Sequence, residues 1–189
     1  MLWAVSELWL VRHGATEWSR SGRHTSVTDL PLLPEGEEQA VGLRSRLAGI
    51  DFELVLTSPR QRARRTAELA GFPDALVDDD LAEWAYGDLE GLTSARIREA
   101  YPAWTIWTGP WPGGETPADI AARLDRVVAR CRETSGRTLV FGHGHCLRVL
   151  AARWLGLGAT EGRLFTLDTA TIGVLGWEHE APAVVRWNS

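Results

Sequence analysis

The stretch Glu7–Trp18, ELWLVRHGATEW, sets an imidazole between a guanidinium and a residue without a Cβ. The run Leu8, Trp9, Leu10 and Val11 before it is apolar and of strand length. A buried parallel strand ending in Arg12-His13-Gly14 delivers both groups to the crevice at the carboxyl edge of its sheet, where open α/β sheets bind ligands. An imidazole beside a guanidinium in that crevice suits an anion with a tetrahedral centre. A satisfied core histidine would equally account for His13 on this segment alone. The reading therefore needs matching groups elsewhere, and three segments offer them. Arg62 lies just after the strand FELVLT, His143 follows Thr138–Phe141, and Glu83 sits in LAEWAYGDLEG among Trp84, Tyr86 and two glycines. Partial desolvation raises a carboxyl pKa, so Glu83 is a candidate general acid, although a surface acid would satisfy the same pattern.

These groups need elements to hold them. After the first strand, Thr16–Leu33 reads as a polar loop lining the site. Ala40, Leu43 and Leu47 recur at helical spacing through Glu35–Ala48, with Gly49 at the C′ position. Phe52–Thr57 is a second strand, and Ser58-Pro59 predicts a helix start with Ser58 as N-cap, running to Ala70 and ending at Gly71. Arg62 falls in its first turn; Arg60, Arg64 and Arg65 read as a solvated face. Ala75–Val77 is a short strand before Asp78-Asp79-Asp80, a solvated turn unless it binds metal. Tyr101–Gly114 carries Trp104, Trp107 and Trp111 among prolines and glycines, so residues 84–114 are expected to form a cap-like insertion in one domain spanning 1–189. Thr116, Pro117 and Asp119 start the strongest helix, whose stripe Ile120, Leu124, Val127, Val128 and Cys131 is core. Thr138–Phe141 leads through Gly142-His143-Gly144-His145 into a helix closed by Gly156. Arg163–Leu167, Ile172–Glu178 and Ala183–Trp187 read as later strands, the last at an edge.

Composition narrows the chemistry. With 189 residues, 44% hydrophobic and 24% charged, the chain reads as an ordinary globular protein. A formal net charge of −5 argues against nucleic acid or an anionic membrane as partner. No apolar run approaches the ~20 residues that cross a bilayer. MLWAVSELW lacks a basic leader, and Cys131 with Cys146 makes no disulfide framework, so the expected compartment is the cytoplasm. All 20 basic residues are arginine, which removes Schiff-base chemistry and the P-loop lysine. An anion site here must use guanidiniums, imidazoles, backbone N–H groups and helix N-termini.

Taken in order, these pieces resemble the histidine phosphatase superfamily, the phosphoglycerate mutase-like enzymes. The matching residues are Arg12-His13-Gly14-x-Thr16-Glu17-Trp18, Thr28-Asp29-Leu30-Pro31-Leu32 and Thr57-Ser58-Pro59-x-x-Arg62-Ala63-x-x-Thr66-Ala67. Leu81-x-Glu83-x-x-x-Gly87-x-x-Glu90-Gly91, Gly113-Gly114-Glu115-Thr116 and Gly142-His143-Gly144-His145-x-x-Arg148 complete the set. The resemblance implies a three-layer α/β/α sandwich with a mostly parallel central sheet. It implies that His13 becomes phosphohistidine, that Arg12, Arg62 and His143 contact the phosphoryl oxygens, and that Glu83 passes the proton. Ser19, Thr25, Ser26, Tyr86, Gly144 and His145 would contact substrate. No metal or other cofactor is implied, and the partner is a small phosphorylated metabolite, with homo-oligomerisation left open.

Physical chemistry agrees. Accelerations of phosphomonoester hydrolysis reach about 10²¹, of which a general acid supplies only ~10²–10⁴. Most of the remainder is charge stabilisation and in-line positioning, which call for several cationic donors around one phosphoryl group. Four residues depart from the family pattern: Ser19 replaces a usual Asn, Thr25-Ser26 a usual Gln-Gly, and His145 a second Gly. Mutases of the family place Arg and Lys in the segment corresponding to Glu83–Leu92. Here there is no base before Arg96, which favours hydrolysis, and the sequence is most similar to sugar-phosphate phosphatases, sedoheptulose-bisphosphatase-like and broad-specificity acid phosphatases. The other readings are a mutase-type transferase, a metal hydrolase built on His143, His145 and Asp78–Asp80, and a phosphate-binding module without turnover.

Overall fold

The computed structural model describes residues 6–189; the first five, part of the stretch read above for a leader, lie outside the described residues. Among the described residues six strands form one sheet: β1 (Glu7–Arg12), β2 (Leu54–Thr57), β3 (Leu76–Val77), β4 (Arg137–Gly142), β5 (Ile172–Glu178) and β6 (Ala181–Arg186). Their order is β3-β2-β4-β1-β5-β6, parallel through β1 and antiparallel at β5 and β6. Six α-helices of the described residues accompany them: α1 (Glu17–Ser21), α2 (Pro34–Leu47), α3 (Gln61–Leu69), α4 (Ser94–Ala100), α5 (Pro117–Glu133) and α6 (Gly144–Trp154).

Alternation along the strands builds two apolar layers. Leu8 and Leu10 of β1, with Leu56 and Val140, face α5, α6 and the tryptophan-rich segment. Trp9 and Val11, with Leu139 and Phe141, face Leu43 and Leu47 of α2 and Ala67 of α3. This is the expected three-layer α/β/α arrangement. The chain leaving β1 enters α2 on one face, while the chain leaving the neighbouring β4 enters α6 on the other. That reversal is a topological switch point, and it opens the sheet's carboxyl edge between Arg12 and its register partner Gly142.

The α5 stripe is buried as its spacing predicts, and Thr116 and Asp119 form a reciprocal capping box. Four local expectations need correction. The Thr16–Leu33 loop contains the short helix α1, capped by Thr16 and Ser19. Ser58 is not an N-cap: α3 begins at Gln61 after Arg60, which makes no side-chain cap. Helix α4, starting at the Thr93 cap, was not anticipated. Arg163–Leu167 forms no strand: residues 159–164 are a 3-10 turn. The reason is that β5 already has β1 and β6 on its two edges, leaving no ladder there to join. The tryptophan-rich segment packs into the α5–α6 layer, with Trp84 and Trp104 among its largest buried side chains.

Candidate active site

The β1–β4 ladder continues one residue past Arg12, where the His13 N–H donates to Gly142 O at 3.0 Å. This leaves the two imidazoles facing one another, with the rings of His13 and His143 5.2 Å apart and edge-on. The His13 Nδ1 lies 2.7 Å from the Gly14 carbonyl, an acceptor only, so Nδ1 carries the proton and Nε2 keeps the lone pair. Burial first, then the charges of Arg12 and Arg62, hold the His13 pKa well below the ordinary histidine value. Both effects favour the neutral ring. The Gly14 N–H is tied to Thr66 Oγ1 of α3 at 3.1 Å, which fixes the turn carrying it.

Arg62 is 1% exposed. Its Nη1 donates to Thr28 O, its Nη2 to Thr25 O and Ser26 O, and its Nε to His143 Nδ1 at 3.1 Å. Since Arg62 can only donate, His143 Nδ1 accepts, and His143 Nε2–H donates to Ser58 Oγ at 2.7 Å. Both ring nitrogens of His143 thus have protein partners. The residue read from sequence as a helix cap is instead the second support of this histidine. Arg12 points the other way: its Nη1 donates to Leu167 O at 2.6 Å, while its buried Nε has no partner. A buried guanidinium N–H without an acceptor is costly and fits an anionic ligand.

Glu83, 7% exposed, enters from the segment after β3. Its carboxylate accepts the N–H groups of Trp84 (2.8 Å), Cys146 (2.7 Å) and His145 (3.0 Å), so it caps the N-terminus of α6. Burial raises its pKa, against the lowering by those three N–H groups and by Arg62. Arg123 of α5 holds the strap behind it, donating to the carbonyls of Asp80, Ala82 and Glu83 while pairing with Glu115. Glu115 in turn accepts the Ala85 N–H at 2.8 Å. Sequence reasoning had not singled out Arg123, which lies outside every quoted motif, and had read Ser58 as a helix cap.

A cleft of about 170 Å³ brings together Arg12, His13, Ser19, Thr25, Glu83, Tyr86, Gly144 and His145. Arg62 and His143 do not line it but bond or pack against residues that do, Arg62 on Thr25 O and His143 on the His13 ring. Ser26 does not line it: its hydroxyl turns to the Glu90 carboxylate, which also accepts the Ser26 and Thr28 N–H groups and pins that loop. The Ser19 hydroxyl is likewise engaged, in the α1 capping box. Arg23, His24 and Arg148 line the cleft without having been singled out individually. Arg148 stacks on Trp107, its guanidinium carbon 4.7 Å from the ring centre, and anchors its Nε on Gly162 O. A larger open groove beside α3, lined by Pro31, Gln61 and Phe72, holds no comparable set.

The metal constellation is not assembled. Asp78 pairs with Arg130 and Asp80 with Arg126. Among the described residues no group of three or more His, Cys, Asp or Glu is placed to hold a metal ion. No helix of the described residues is long and apolar enough to cross a membrane.

Known proteins share this architecture. An acid phosphatase of Mycobacterium tuberculosis is 44% identical over 177 residues, covering 91% of this chain and 87% of its own. A sedoheptulose 1,7-bisphosphatase of Saccharomyces cerevisiae is 40% identical over 185 residues, covering 80% and 68%. The solved structure of an open reading frame product of Mycobacterium tuberculosis superposes with a TM-score of 0.93 at 40% identity, covering 96% of both chains. The sequence profile of the histidine phosphatase superfamily, branch 1, matches residues 8–189. The chain belongs to the histidine phosphatase superfamily.

Proposed function

We propose that this phosphoric monoester hydrolase passes the phosphoryl group of a small phosphorylated metabolite, a sugar phosphate, first to His13 and then to water, without a metal ion. The observation that carries this is the Nδ1–H bond of His13 to Gly14 O, which leaves Nε2 as a free lone pair in a cationic cleft. In the first step the Nε2–P bond forms as the ester P–O bond breaks, and protonated Glu83 gives its proton to the departing alkoxide. In the second, the Glu83 carboxylate takes a proton from water as the water oxygen attacks phosphorus. The P–N bond then breaks and the electron pair returns to Nε2. The Arg12 guanidinium, which lines the cleft, meets the phosphoryl oxygens from that side. Arg62 and His143 stabilise the same charge, and their direct contact with it requires an exchange of partners at Thr25, Ser26 and Ser58.

The names of the two relatives, an acid phosphatase and a sugar bisphosphatase, support hydrolysis. One observation favours phosphoryl transfer of the mutase type as a second reading. Arg23 and Arg148 add two guanidiniums to the cleft wall from segments outside Glu83–Leu92, where a second anionic group of one substrate would bind.

The test is phosphate release in EDTA across sugar mono- and bisphosphates, with phosphoglycerates included. Acid-quenched and alkali-quenched protein from turnover is assayed alongside for bound phosphate. Release without metal, and an acid-labile, alkali-stable protein phosphate that His13→Ala lacks, are expected. Turnover retained by His13→Ala, or lost in EDTA, overturns the proposal; isomerised phosphoglycerate without phosphate release selects the transferase.

A further inference from the structure

The cleft holds two imidazoles that the two-step reaction leaves idle, His24 and His145. His145 is the second residue of α6, and its backbone N–H is spent on Glu83 Oε2, so its ring starts within one residue of the proton donor. The ring is walled by aromatic neighbours, Trp107 at 5.3 Å, with Tyr86 and His24 each at 5.9 Å. Its Nδ1 lies 2.6 Å from the Tyr86 hydroxyl. Tyr86 is 3% exposed and that nitrogen is its hydroxyl's one partner among the described residues. If the hydroxyl accepted, its own proton would be left buried without an acceptor, so the phenol donates and His145 Nδ1 accepts. The remaining proton of the neutral ring is then on Nε2. That atom has no protein partner and is not among the buried unpaired atoms, so it opens into the cleft that His145 lines.

We propose that the Nε2–H of His145, locked in that tautomer by Tyr86, is a neutral hydrogen-bond donor to a hydroxyl or ring oxygen on the alcohol half of the substrate. It makes polyhydroxylated phosphates the preferred class over aryl phosphates. The proposal rests on the assignment of Glu83 as proton donor, because that assignment puts the leaving group on the His145 side of the cleft. A neutral donor distinguishes this wall from the guanidiniums around His13. It recognises an uncharged oxygen without drawing the phosphoryl group away from Arg12. A nitrophenyl leaving group offers no oxygen at the hydroxyl positions of a sugar, so it forgoes the contact. A site built to donate to a substrate oxygen rejects an analogue that lacks it. Tyr86 acts through His145 and is a positioning residue, since without its phenol the ring is free to take the other tautomer and present a lone pair instead.

The experiment compares kcat/KM for a sugar phosphate with that for p-nitrophenyl phosphate in unmutated protein, His145→Gly, His145→Asn and Tyr86→Phe. The sugar-to-aryl ratio is expected to fall about ten- to hundredfold in His145→Gly, the loss of one good substrate hydrogen bond. His145→Asn, which retains a side-chain N–H, should recover part of it. Tyr86→Phe should fall between, and ring ¹⁵N shifts should show its His145 proton leaving Nε2. An unchanged ratio in His145→Gly, or a proton on Nδ1 in the unmutated protein, overturns the proposal. Failure of the unmutated protein to release phosphate from either substrate strikes instead at the roles of His13 and Glu83, and this inference falls with them.

Discussion

Glu83 is pulled two ways, and its place in the reaction depends on which pull dominates. Burial disfavours its charge, while three backbone N–H groups and Arg62 favour it, and the balance is a raised pKa. A carboxyl so placed holds its proton further toward neutral pH than a surface acid and still has a stable anion to fall back on. Glu83→Gln keeps an amide oxygen for two of the three donors but has no proton to give. Its kcat on a sugar phosphate should fall about 10²–10⁴-fold, with a smaller factor on p-nitrophenyl phosphate, whose leaving group departs without help. Equal losses on both substrates in a leaving-group series would remove Glu83 from proton transfer. The carboxyl among aromatics was legible at this scale, as were the imidazoles at two strand ends. The donors to Glu83 were not, because His145 and Cys146 are more than sixty positions away and meet it only through the fold. Ser58 misled for the opposite reason. Ser-Pro is a strong local start signal, yet its hydroxyl supports His143, a partner 85 positions away.

Between elements, the turn that carries His13 is held by a contact that leaves no room for a side chain. A Cβ on Gly14 would lie 2.2 Å from Gly36 O, and one on Gly36 would lie 2.2 Å from Ala15 O. The first turn of α2 therefore rests directly on the backbone that follows β1, with the Leu33 N–H donating to Ala15 O at 2.9 Å. Because the obstructing atoms are backbone, Gly36→Ala must push the helix and the His13 turn apart. It should lower unfolding stability in urea by about 1–3 kcal/mol and reduce phosphate release with it. Full activity at unchanged stability would mean the two elements are not rigidly joined. The helices α2 and α5 were legible because their apolar positions recur at helical spacing, and α6 because it follows a strand end and is closed by Gly156. Helix α4 was not, since its seven residues bury only Ile97. The supposed strand Arg163–Leu167 has strand composition, but its carbonyls are used otherwise: Leu167 O accepts Arg12 and Thr166 O accepts the Trp187 indole.

Across the whole molecule, the site's chemistry sets the acid limit of the fold. Four of the five histidines, His13, His24, His143 and His145, have pKa values pushed down chiefly by burial, so the folded chain keeps them neutral where the unfolded chain protonates them. Below the unfolded value of 6.5 the unfolded state binds more protons, and stability falls as pH falls. Glu83 works in the other direction: its raised pKa stabilises the fold at low pH and loses that contribution as pH rises. One carboxyl does not offset four rings. His24 is the member to test, because it lies outside the phosphoryl contacts and its pKa is lowered to about 4. The span from 6.5 to about 4 corresponds to about 3 kcal/mol, absent at pH 7 and fully felt near pH 4. In urea unfolding followed from pH 7 to pH 4, unmutated protein should lose stability steadily below pH 6.5. His24→Gln should lose less over the same interval. Removing the imidazole also removes its stacking on Tyr86 and Trp104, which lowers the curve at every pH. The proton linkage is in the slope alone, and parallel curves for the two proteins would show that His24 carries none of it.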